Sequence, residues 1–180
     1  GPVNWELPGI VARLVDAGLQ VVAPDALGHG ASEKPHDPDC YGEDRMARDV
    51  SALVDHLGLE QVDLVGYSMG AVVALVAATQ EARIRRLAVG GVGAAIVELG
   101  GVDQRHVGRD VIAAALRQDD PAHIADPAAA GFRQLADATG ADRLALAAQA
   151  DRARTGHLPL DRIRAATLVL VGADDPLAQR

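Results

Sequence analysis

Apolar positions along the chain follow two rhythms, and their alternation predicts the fold class. Leu7, Ile10, Val11, Leu14 and Val15 recur at helical spacing, with Pro8 near the first turn and Gly18 at the end. Residues 19–23 then read as a strand stopped by Pro24, and residues 25–38 as a loop rich in Gly, Pro, Asp and His. Met46, Val50, Leu53, Val54 and Leu57 stripe a second helix that Gly58 closes. The short apolar run 62–65 reads as a buried strand, and the Ala-rich run 71–78 as a buried helix. Basic residues at 83–86 lead into another strand through Val89, and the last strand is read at 166–171. Strands that are apolar throughout, alternating with helices, predict an α/β fold with a mostly parallel sheet.

The pattern changes after Val97. Residues 111–116, 132–136 and 144–150 have helical spacing, punctuated by Asp120-Pro121, Asp126-Pro127, Gly140 and Gly156, and no strand pattern interrupts them. The expected organisation is a sheet-and-helix core of residues 1–97 and 164–180, with a helical insertion at 98–163.

At 180 residues there is room for one domain with a substantial core. Seventeen basic against 25 acidic residues leave a net charge of −8, which argues against a nucleic-acid partner and against an anionic membrane surface. Cys40 is the single cysteine, so neither an internal disulfide nor a cysteine metal site is expected. Its polar neighbours predict an exposed, inert thiol, and its isolation a reducing, cytoplasmic compartment. The longest apolar stretch, 87–97, is too short to span a bilayer. No metal-ligand spacing appears, and no cofactor is implied.

Gly66-Tyr67-Ser68-Met69-Gly70 carries the chemistry. It lies between the strand at 62–65 and the helix at 71–78, so Ser68 stands at the apex of a sharp strand-to-helix turn, the arrangement of a nucleophile elbow. Such a turn brings backbone into close contact, which predicts that the positions two before and two after the serine must lack a side chain. It also sets the serine at a helix N-terminus, where free N–H groups favour developing negative charge. The alternative is a structural or anion-binding turn; a dinucleotide site would want G-x-G-x-x-G, and the spacing differs. Gly90-Gly91-Val92-Gly93 has two readings as well, a phosphate cradle or a backbone segment passing close beside the elbow.

With these motifs the chain resembles the α/β-hydrolase fold family, in its serine esterase, haloperoxidase-like and meta-cleavage hydrolase branch. Pro24-Asp25-Ala26-Leu27-Gly28-His29-Gly30-Ala31-Ser32 is similar to the family's P-D-x-x-G-x-G-x-S loop, residues 66–70 to its elbow, and Gly172-Ala173-Asp174-Asp175 to its acid turn. The resemblance implies a helical cap at 98–163, Ser68 as nucleophile, Asp175 as triad acid and the Met69 backbone N–H as an oxyanion donor. Asp174 is the alternative acid, and Asp175 before Pro176 also reads as a helix N-cap.

The implied function is a serine hydrolase of a small, mostly apolar ester, thioester or related carbonyl substrate. The alternatives are a carbon–carbon hydrolase or cofactor-free perhydrolase with the same triad, or a non-catalytic ligand-binding member of the fold. Serine at the elbow argues against the haloalkane dehalogenase and epoxide hydrolase branches, which place a carboxylate there. In the family the catalytic histidine follows the acid, whereas His29, His36, His56, His106, His123 and His157 all precede Asp175. The strand and loop that supply the second oxyanion donor would likewise precede Trp5. The expectation is therefore a fragment truncated at both ends, inactive alone, with a gap in its sheet between residues 19–23 and 62–65.

Overall fold

The computed structural model describes residues 2–99, 107–152 and 156–175. Its centre is a three-stranded parallel sheet of β1 (Val62–Tyr67), β2 (Ile84–Gly90) and β3 (Ala166–Leu170), in that spatial order. β1 runs in register with β2 from Asp63 beside Arg86 to Tyr67 beside Gly90, and β2 with β3 from Arg86 beside Ala166 to Gly90 beside Leu170. The C-terminal ends of all three strands therefore meet at one edge. Parallel neighbours need crossover connections, and the first is helical: α3 (Met69–Ala78) joins β1 to β2.

α3 is apolar on every side, so it is stable only when surrounded. All eight residues from Ala71 to Ala78 are buried, against the sheet on one side and helix α2 (Glu43–His56) on the other. Val72, Val76, Leu87 and Val89 are the largest fully buried side chains, and each contributes about 1.5–3 kcal/mol of transfer free energy. α2 needs only one apolar face; Met46, Ala47 and Val54 are its buried residues of that kind, and Glu43 and Asp44 occupy its first turn where the helix dipole favours acids. Gly58, at φ +63, turns the chain away after it.

The sheet is less covered than apolar strands imply. Every residue of β3 is exposed, and on β1 the pattern alternates, with Val65 and Tyr67 exposed. Both strands lie at edges of the sheet. Residues 19–23, read as a strand, form none: a strand exists through its ladder partner, and none of the described residues pairs with this segment. Leu19 and Val22 are exposed there, as is Val15 on helix α1 (Ile10–Asp16), which forms where its spacing predicts but buries no residue. Exposed apolar residues in adjoining strands, with a free ladder edge, template association. The 180-residue chain expressed by itself is therefore expected to elute as assemblies in light-scattering-coupled gel filtration and to melt without a sharp transition. A monomer with a cooperative melt would contradict this.

Between β2 and β3 the described residues form helices and no strand: α4 (Ala95–Glu98), α5 (Arg109–Arg117), α6 (Pro127–Thr139) and α7 (Arg143–Asp151). Their ends follow the local chemistry. Asp126 precedes a proline at the first position of α6 and accepts the Ala129 N–H at 2.8 Å, Gly140 ends that helix at φ +63, and Asp142 caps α7 through the Leu144 and Ala145 N–H groups. The helices share a small core of Ala113, Leu116, Ala136 and Ala147. Arg133 is buried among them and is satisfied by Asp137 and the Gln118 carbonyl. α7 rests on the loop before α2: Tyr41 packs with Ala145 and Ala148 and donates its hydroxyl to the Pro35 carbonyl at 2.6 Å. His36 meets Asp142 at 3.0 Å, and this hydrogen bond above all holds the Asp142 carboxyl below its usual range. Cys40 is half-buried beside the Tyr41 cluster rather than fully exposed, because α7 covers the loop it sits in. Among the described residues no helix is long and apolar enough to cross a membrane.

One ion pair secures the turn from α3 to β2. Arg83 Nη2 meets Glu81 Oε2 at 2.7 Å, with Asp55 of α2 on its other nitrogen, also at 2.7 Å. The hydrogen bond from Arg83, outweighing partial burial and helped by Ser51, lowers the Glu81 carboxyl from 4.5 to about 2. A depressed carboxylate stabilises the fold above its unfolded value, and that contribution fades as pH falls from about 4.5 through about 2. Glu81→Gln is expected to lower the urea midpoint at pH 7 and to lose most of that effect near pH 2. An equal deficit at both pH values would contradict the assignment.

Candidate active site

The elbow lies where β1 hands over to α3. Ser68 has φ +53 and ψ −120, and among the described residues it is the one non-glycine with positive φ. A side chain in that region costs about 1–3 kcal/mol and persists only where the surroundings enforce it. Here they are short bonds to the neighbouring strand and the next helix. The Ser68 N–H donates to the Gly90 carbonyl of β2 at 2.8 Å, and the Ser68 carbonyl accepts the Ala71 N–H at 2.9 Å. The hydroxyl is not used as a helix cap, and the residue is exposed. Met69 begins α3, so its N–H precedes the helical ladder and points out of the helix end, where an anion is favoured.

The two flanking glycines differ. A Cβ on Gly66 would lie 2.2 Å from the Gly70 carbonyl oxygen and 2.8 Å from the Ala71 nitrogen, which no side chain can occupy. A Cβ on Gly70 would meet nothing within 4 Å. The close approach that requires glycine is thus at the strand side of the turn alone, correcting the expectation for Gly70: α3 points that position away from β1. Gly90 and Gly91 are explained by the same crowding. Cβ atoms there would sit about 3.0–3.1 Å from the Tyr67 ring, and the one on Gly91 would lie 3.4 Å from the Ser68 nitrogen. This is backbone passing close beside the elbow, the second of the two sequence readings.

Asp175 stands in a turn just beyond β3, half-buried, its N–H donating to the Gly172 carbonyl at 3.1 Å; Asp174 beside it is exposed. β3 is tied to the elbow region at its last residue, where the Leu170 carbonyl accepts the Gly91 N–H at 3.3 Å. Ser68 follows β1 and Asp175 the turn after β3, so both leave the same edge of the sheet, from strands whose axes lie about 10 Å apart across β2. Pro176, and with it the capping reading of Asp175, lies outside the described residues, as does His106. Of the remaining histidines, His29 contacts the Leu27 carbonyl in its own loop, His36 and His123 pair with Asp142 and Asp120, and His56 is the last residue of α2.

The loop at 25–32 folds around its aspartate: the Asp25 carboxylate accepts the Ala31 N–H at 3.0 Å, and Ser32 Oγ donates to the Asp25 carbonyl at 2.6 Å. The Ala31 N–H first, offset by burial, keeps the Asp25 carboxyl below its usual range. Two groups at this end of the molecule have no sequence motif to announce them. Gln149 of α7, nearly buried, reaches Met69, and Arg109 at the start of α5 is held below its ordinary value by burial, with the charge of Glu43 opposing. The signal available for Gln149 is its place on the stripe Ala145, Ala148, Gln149, the buried face of an otherwise Ala-rich helix. Among the described residues no cluster of three His, Cys, Asp or Glu residues could hold a metal ion.

This chain belongs to the alpha/beta hydrolase fold family, whose model matches residues 2–136. It is 40% identical over 63 residues to epoxide hydrolase A of Mycobacterium tuberculosis, a match covering 35% of this chain and 20% of that protein. A 2-hydroxymuconate semialdehyde hydrolase of a Pseudomonas species is 39% identical over 89 residues, covering 49% and 30% respectively. Among solved structures, a hydrolase from Pseudomonas aeruginosa superposes with a TM-score of 0.64 at 29% identity, over 86% of this chain and 62% of that one. An esterase from Exiguobacterium antarcticum superposes with a TM-score of 0.65 at 24% identity, covering 88% and 65%, a likeness of fold. The chain spans less than two thirds of the length of these solved structures.

Proposed function

We propose that the chain forms the nucleophile-and-acid part of a serine hydrolase acting on a small, mostly apolar ester, thioester or related carbonyl compound. The observation that carries this reading is Ser68, exposed at φ +53 in the turn between β1 and α3, its hydroxyl unused by the helix it precedes. Ser68 Oγ attacks the carbonyl carbon, the Met69 N–H takes up the charge that develops on the carbonyl oxygen, and the alcohol or thiol departs with a proton from the base. Water then attacks the acyl-enzyme and releases the acid. Asp175 orients the imidazole that relays both protons. Helices α5 to α7 form the cap over this edge, and their Ala- and Leu-rich make-up suits an apolar acyl group.

Carbon–carbon hydrolysis by the same residues is the second reading, favoured by relatives named 2-hydroxymuconate semialdehyde hydrolase. Epoxide hydrolases and a haloalkane dehalogenase are also among the relatives, but serine in place of an elbow carboxylate disfavours their chemistry here. The test is a panel of p-nitrophenyl esters of increasing acyl length beside a vinylogous 1,5-diketone, assayed with the full-length protein. Ester turnover that peaks at short apolar acyl chains supports the first reading, and diketone turnover without it the second. Neither activity in a folded protein would favour a non-catalytic binding role.

A further inference from the structure

The buried face of α7 consists mainly of alanines that let the helix lie close to its neighbours, with one polar exception. Gln149 is 9% exposed, and its side-chain Nε2 lies 2.7 Å from Met69 Sδ and 3.5 Å from Met46 Sδ. These are the two methionines of the chain, contributed by α3 and α2, and one amide gathers both. A thioether is a weak acceptor on a pliable side chain. Leucine would fill a similar space without burying an amide, so the contact is poorly explained by packing alone. What the two N–H groups add is direction: they hold a side chain with three free torsions in one place.

Met69 directly follows Ser68, so restraint on its side chain is restraint on the first turn of α3. The helical segment is thus joined to the elbow through α7.

We propose that Gln149 is a positioning residue. Through Met69 and Met46 its amide locks the N-terminus of α3 against α7, so that the placement of the helical segment sets the orientation of the Met69 N–H. The inference rests on the serine-hydrolase reading for the use of that N–H, while the clamp itself stands apart from it.

The experiment compares full-length wild type with Gln149→Leu, which keeps the volume, and Gln149→Glu, which keeps the shape and exchanges the donor for an acceptor. Carbon-13 methyl spectra of methionine-labelled protein, assigned with Met46→Leu and Met69→Leu, report the clamp without any need for activity. Labelling by an alkyl fluorophosphonate over a range of concentrations separates the maximal rate from half-saturation. Both Gln149 variants are expected to displace the Met46 and Met69 resonances and to lower the maximal labelling rate about tenfold with little change in half-saturation. Unmoved methyl resonances would overturn the clamp. Displaced resonances with an unchanged maximal rate would overturn the positioning role, since a merely structural contact alters melting and not the rate per folded molecule. A wild type that takes no label, with the resonances still displaced in the variants, would sink the hydrolase reading and uphold the clamp.

Discussion

Ser68→Ala and Ser68→Gly are expected to abolish ester turnover alike, lowering kcat by about 10⁶ in the full-length protein, while only the glycine variant gains stability. The separation follows from the backbone. At φ +53 and ψ −120 a Cβ atom is the source of the strain. Alanine keeps that atom and loses only the hydroxyl, so its melting temperature should stay near that of wild type. Glycine removes the Cβ and should gain about 1 kcal/mol, visible as a higher denaturation midpoint. A serine that is only part of a packed turn would leave turnover intact when replaced. Urea titrations and p-nitrophenyl ester assays on the same preparations separate these outcomes. A Ser68→Gly variant that is both inactive and more stable is the signature of strain held for function.

Gly66→Ala should be the most damaging single methyl group added to the protein. The new Cβ would lie 2.2 Å from the Gly70 oxygen, and the clash is with backbone, which cannot swing aside as a flexible side chain does. Relief requires β1 and α3 to separate, at the centre of a core where residues 71–78 are buried. The expected cost exceeds about 4 kcal/mol, so the variant should accumulate as insoluble protein. Gly70→Ala is the control. Its methyl group meets nothing within 4 Å, and alanine within a helix is favoured over glycine by about 0.5–1 kcal/mol, so stability should be unchanged or slightly raised. Comparable losses at both positions would contradict the geometry of the turn.

The elbow was legible in the sequence because it is local. A strand, a turn and a helix joined without a break write their constraints into consecutive residues, and Gly66, Ser68 and the apolar run after them are those constraints. The three parallel strands were legible for a similar reason, since an apolar run between helical patterns has few other uses. Residues 19–23 mark the limit. Their composition suits a strand, yet strand formation is decided by a partner elsewhere, and the described residues supply none. The exposure of Leu168, Val169 and Leu170 is hidden in the same way, because an apolar residue carries no record of whether anything covers it. Gln149 was legible only in part. Its helix and its stripe follow from periodicity, but the methionines it reaches are 80 and 103 residues away. Gly70 was misread by treating the two elbow glycines as equivalent; which one faces backbone depends on the direction of α3.

The central claim is that Ser68 is a nucleophile. It is tested most directly by treating the full-length protein with an alkyl fluorophosphonate and locating the adduct by peptide mass spectrometry. The account predicts one adduct, on the peptide containing Gly66-Tyr67-Ser68-Met69-Gly70, absent in Ser68→Ala and after heat denaturation. A folded protein that takes no label, or takes it equally in Ser68→Ala, would contradict it.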